Sequence, residues 1–111
     1  TVLQGADAPD GVVLTATILA DDKQRPVPAM PLEHIKVPVL VVHHQQDGCA
    51  YCAYSEIPNL MAKLTHTPRS QLITATGGTN QGDACAAFAH HGFNGLEADV
   101  VGQMADWILA R

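Results

Sequence analysis

The sequence predicts an α/β fold: a short parallel sheet of about three strands with flanking helices. Three observations lead there. Apolar, β-branched runs of strand length recur at residues 11–18, 37–43 and 70–75. Apolar residues at helical spacing follow the second and third runs. The resulting order of strand, crossover, strand, helix, strand, loop and helix is the pattern of parallel strands joined by crossovers.

Residues 1–10, with Gly5 and Pro9, form an irregular lead-in. The run Val12, Val13, Leu14, Thr15, Ala16, Thr17, Ile18 predicts a strand over residues 11–18, buried on both faces. Residues 19–36 hold Pro26, Pro28 and Pro31, which exclude a long helix. The strongest strand signal spans residues 37–43, with Pro38 near its start, where a missing N–H is tolerated. Residues 54–64 place Ile57, Leu60, Met61 and Leu64 on one helical stripe, with Pro58 in the first turn. A third strand follows over residues 70–75. Residues 76–93 are Gly-rich and polar, and an irregular connection of that length tends to carry function. Asn94 and Glu97 have capping-box spacing ahead of a last helix whose apolar face is Leu96, Val100, Val101, Met104, Trp107 and Ile108.

At 111 residues the chain fits one domain, with no internal repeat and no boundary. Its hydrophobic fraction of 47% supports a packed core. The net charge of −5, with only six scattered Lys and Arg, argues against nucleic acid and against an anionic membrane surface. No apolar run approaches the ~18 residues of a membrane span. The opening residues show no basic segment followed by an apolar one, the pattern of a secretory signal.

In open parallel sheets, ligands bind beyond the carboxyl ends of the strands. Past the second strand lie His43, His44 and Asp47; past the third, at the end of the long loop, lie His90 and His91. A carboxylate beside an imidazole fixes the ring tautomer and stabilises imidazolium. Asp47 also stands in Gln46-Asp47-Gly48, which is good turn chemistry in its own right.

The run Pro38 to His44 with Asp47, then a helix, a strand and His91-Gly92-Phe93 before a Trp-bearing helix, resembles the C-terminal part of an α/β-hydrolase. The resemblance covers roughly residues 11–109. It implies a Ser-Asp-His triad in which Asp47 is the acid and His91 the base, with His90 the alternative base and His43 and His44 at the site rim. The parent activity would be hydrolysis of an ester or amide bond, without cofactor or metal. The family's Gly-x-Ser-x-Gly elbow is missing. Ser55 and Ser70 are the only serines, and neither has that context. The chain is therefore expected to lack the nucleophile-bearing part of the fold, and to be inactive alone.

Three cysteines allow one disulfide and one free thiol, or a fully reduced chain. The resemblance favours a Cys49–Cys85 bridge, joining the Asp47 loop to the His91 loop and leaving Cys52 free. A secreted or periplasmic location would follow from that bridge, a cytoplasmic one from its absence. Cys49 and Cys52 also have the spacing of a redox centre or, with His90 and His91, of a zinc module.

A function of another class is a non-catalytic domain that binds itself or a partner. The expected strand at residues 11–18 has no Lys, Pro or inward charge to protect a free edge, so a homodimer through that edge is predicted.

Overall fold

Residue alternation in a single buried strand organises the molecule. The computed structural model describes residues 10–19, 27–29 and 31–110, so the expected lead-in falls outside the described residues apart from Asp10. The central strand β2, Val39–His44, is buried along its whole length. On one side it pairs in parallel with β1, Val12–Thr15, in the register Val12 to Val39. On the other it pairs in parallel with β3, Ser70–Ala75, in the register Val39 to Ser70. The sheet order is β1-β2-β3, the small parallel α/β arrangement expected.

Successive side chains of a strand point to opposite faces. Val39 and Val41 therefore pack with Leu32, Ile35 and the helix α1, Ile57–Ala62, through Ile57 and Leu60. Leu40 and Val42 pack with Ile73 and Ala75 of β3 and with Val100 and Trp107 of α2, Glu97–Leu109. Each face of the sheet thus carries one helix. Fully burying one Val or Leu contributes roughly 1.5–3 kcal/mol, so β2 anchors both layers.

Several boundaries differ from the sequence expectation, each for a local reason. The first strand is four residues long and half-buried, rather than spanning 11–18 with both faces covered. Ala16 turns into left-handed backbone at φ 46°, which ends the pairing. Among the described residues β1 also has a neighbour on one side only. The second strand begins at Val39, and the Pro38 carbonyl accepts the Val12 N–H at 2.9 Å. Residues 54–56 form a 3-10 turn ahead of α1, and the helix closes at Ala62, where Lys63 and Leu64 bond three residues back.

The expected capping box is absent. The Asn94 side chain donates to the Phe88 carbonyl at 2.8 Å, and α2 starts only at Glu97. Of the expected apolar face of α2, Val101 and Ile108 are exposed, while Val100 and Trp107 are buried. Within the described part of residues 19–36 there are only short 3-10 turns, at Val27–Ala29 and Leu32–His34. No helix among the described residues is long and apolar enough to cross a membrane.

The far end of α2 is tied to the start of β3 by one side chain. Arg69 donates to the carbonyls of Ala110 at 2.7 Å and Trp107 at 3.2 Å, and its guanidinium lies 4.2 Å from the Trp107 ring centre. It caps orphan helix carbonyls and stacks at once. Arg69→Ala should cost about 1–2 kcal/mol, read as a lower urea midpoint with unchanged slope. Arg69→Lys should restore only part of that, because an ammonium lacks the planar fork.

Candidate functional site

Beyond its apolar residues β2 ends in His43 and His44, and the chain turns at once through Asp47. Asp47 Oδ1 accepts the Cys49 N–H at 2.9 Å, an Asx-type turn that fixes the carboxylate. The other oxygen, Oδ2, lies 2.9 Å from His91 Nδ1 and 3.3 Å from His43 Nε2. The Asp47 side chain is fully buried. A buried carboxylate needs donors on both oxygens: the Cys49 N–H supplies one and His91 the other.

His91 arrives from the other side of the site, in the 3-10 turn His90–Gly92 that closes the long loop. Donating from Nδ1 to Asp47 selects the tautomer in which Nε2 keeps its lone pair. The His91 side chain is about one-fifth exposed, so the site is open to solvent on that side. The next residue must be small, because a Cβ on Gly92 would overlap the carbonyl of Ala87.

The other histidines sit differently. His44 receives the Gln46 N–H on Nδ1 at 2.9 Å and donates from Nε2 to the Gly77 carbonyl at 2.8 Å. His90 stacks on His44 with ring centres 4.2 Å apart and makes no contact with Asp47, so the pairing falls to His91 and not to the alternative, His90. His43 bonds the Cys52 carbonyl through the same Nε2 that faces Asp47, and its Nδ1 has no partner. His43 and His44 are wholly buried, so they form the floor of the site rather than its rim.

A disulfide joins Cys49 to Cys85 with Cα atoms 4.7 Å apart, linking the Asp47 turn to the His91 loop. Cys52 is free and buried. The Cys49–Cys52 pair is thus not a redox disulfide, and the Cys49 sulfur is occupied. One ligand atom each from Cys49, Cys52 and His91 nevertheless lie within 4.8 Å of one another, and His90 is not part of the group.

No serine completes the pair. Ser70 opens β3 at the opposite end of the sheet, and Ser55 lies in the turn before α1. Comparison with known protein families, with curated proteins and with solved structures found no match. The site is therefore defined by its geometry: an oriented acid–base pair, a bridged loop, and one buried thiol.

The thiol is the part that sequence reasoning placed least well. Cys52 lies behind the site, its Sγ directed at the Ala16 carbonyl at 3.6 Å. Burial, and secondly the Asp47 carboxylate, push it up to about 11. An exposed thiol in the unfolded chain ionises near ~8.5. The fold therefore keeps its full stability below that value and loses some as the pH rises toward 11. Folded, oxidised protein should react with no thiol reagent at neutral pH. In denaturant without reductant, titration should find one thiol per chain. Two or three would rule out the bridge.

Proposed function

We propose that this chain is the C-terminal part of an α/β-hydrolase that cleaves ester or amide bonds. In it, Asp47 and His91 are the acid and base of a Ser-Asp-His triad whose nucleophile comes from sequence outside the chain. The observation that carries the proposal is the 2.9 Å contact from Asp47 Oδ2 to His91 Nδ1, made beyond the carboxyl ends of β2 and β3. With Nδ1 held, Nε2 of His91 takes the proton of an attacking serine hydroxyl and returns it to the leaving group. Asp47 stabilises the imidazolium formed between those steps. The disulfide would hold the two loops in register, and its presence fits a secreted or periplasmic protein.

The coding sequence upstream tests this directly. It should continue in frame and encode a Gly-x-Ser-x-Gly elbow. The joined protein should hydrolyse small esters, and Asp47→Asn should lower kcat by roughly 10⁴-fold with KM little changed. The chain by itself should show no esterase activity, and a fluorophosphonate should label neither Ser55 nor Ser70. Labelling of either serine, or an upstream stop codon, would sink the proposal.

A second function, self-association, is favoured by a separate observation. Among the described residues β1 pairs only with β2, and none of them pairs with its outer edge. Beside it lies a concavity of about 690 Å³ at the amino ends of the strands, lined by Val12, Val13, Trp107 and Ile108 among others. Val101 and Leu109 add exposed apolar surface on α2. In a complete hydrolase this surface would be covered by the missing part. In the lone chain the simplest cover is a second copy paired through β1 about a two-fold axis. Sedimentation should find a dimer at micromolar concentration, and Val13→Lys should dissociate it. A folded monomer at that concentration would exclude self-association.

A further inference from the structure

Cys49, Cys52 and His91 converge from two segments: the turn after Asp47, which carries both cysteines three residues apart, and the turn that closes the long loop. Two are buried sulfurs at 3% and 2% residue exposure, and the third is an imidazole held in one tautomer. Their ligand atoms lie within 4.8 Å of one another. Around a tetrahedral zinc, ligand atoms stand about 3.3–3.8 Å apart, as follows from bonds of ~2.0–2.3 Å. Coordination would draw the most widely separated of these atoms together by about 1 Å. Only the Cys49–Cys85 bond keeps the set from being free.

We propose that reducing the Cys49–Cys85 disulfide creates a zinc site whose ligands are Cys49, Cys52 and His91, with the fourth position open to solvent. The chemistry balances simply. A phosphine supplies two electrons and becomes the phosphine oxide, water provides the oxygen and two protons, the sulfur–sulfur bond breaks, and two thiols form. Zinc then displaces the protons of Cys49 and Cys52, and the neutral His91 ring binds through Nε2. The two thiolates cancel the divalent charge, which a site with buried sulfurs requires. Asp47 remains on Nδ1 of His91, the carboxylate–histidine–metal relay that orients zinc-bound imidazoles. Two sulfurs and one nitrogen select zinc over magnesium or calcium, which take oxygen ligands.

The inference does not rest on the triad. It sets the two functions against each other, because a metal on Nε2 takes the lone pair that a general base needs. An oxidised chain presents a free His91 base, and a reduced chain presents a metal-bound one.

Zinc titration of the whole chain against a chromogenic chelator tests the proposal, with a phosphine as reductant so that the reductant itself binds no metal. The reduced wild type should take up one zinc per chain and the oxidised wild type none. Cys85→Ser should bind without reductant. Cys52→Ser and His91→Ala, both reduced, should bind roughly tenfold or more weakly. Cobalt substitution of the reduced wild type should give a thiolate-to-metal charge-transfer band. Should Cys85→Ser fail to fold, the reduced wild type decides by itself. Absence of zinc uptake by reduced wild type would overturn the proposal. So would equal uptake by the oxidised chain, or reduced affinity unchanged by His91→Ala, the mark of chelation by an unfolded thiol pair.

Discussion

The complete burial of β2 sets the rest of the structure. Its six residues have no exposed face, so each neighbour must be supplied: β1 and β3 along the edges, α1 and α2 above and below. Alternation sends Val39 and Val41 to one layer and Leu40 and Val42 to the other. The same alternation continues into His43 and His44, which is why two adjacent histidines end in different surroundings. His43 faces Cys52 and Asp47, whereas His44 faces Gly77 and His90. Polar groups at the end of a fully buried strand are costly unless bonded. Residues 45–52 and the long loop supply partners to both rings, with His43 Nδ1 left unpaired, so the apolar strand and the polar site are parts of one packing problem.

Asp47 shows the electrostatic side of that problem. A buried carboxylate is tolerated only with directed donors, and Asp47 has the Cys49 N–H on one oxygen and His91 on the other, with the His43 ring 3.3 Å away. Removing either donor leaves a charge poorly solvated, which costs more than the bond itself is worth. The arrangement also explains the neighbouring thiol. Cys52 stays protonated at neutral pH because it is buried and stands beside a negative charge.

Much of this was legible in the sequence, because it rests on local signals. β2 and β3 announce themselves by β-branched runs between turn residues, and strand ends direct attention to Asp47 and to the histidines after β3. The resemblance of His91-Gly92-Phe93 to the hydrolase pattern favours His91 over His90, and in the structure it is His91 that meets Asp47. What was illegible depends on tertiary neighbours. Residues 16–18 carry strand-forming side chains yet leave the strand, because Ala16 adopts a left-handed turn that propensity does not foresee. Asn94 has the right spacing to cap α2 but is drawn to the Phe88 carbonyl instead. Val101 and Ile108 complete a helical stripe in the sequence, but the sheet is too narrow to cover it. Cys52 could be counted from the sequence, but not placed within reach of His91.

The loop of residues 76–93 is where stability and chemistry meet. It makes few bonds to the sheet, and an irregular segment of that length carries a large conformational entropy when free. Its own turns help: Gly78 adopts φ 75° against the Asn94 carbonyl, and the Gln81 N–H bonds the Phe88 carbonyl at 2.8 Å. The larger constraint is covalent. A bridge between residues 36 apart stabilises the folded chain by about 4 kcal/mol on the loop-entropy estimate. A hydrogen bond to a charged group contributes about 1.5–3 kcal/mol. The bridge therefore exceeds the Asp47–His91 contact in energy, and it anchors the very loop that delivers His91. Opening it should not abolish that contact, because Asp47 and the glycine turn still favour it, but the loop then samples other positions. Holding His91 in place, rather than adding reactivity of its own, is the part the bridge plays, and it makes the position of the base depend on the redox state of two sulfurs outside the acid–base pair.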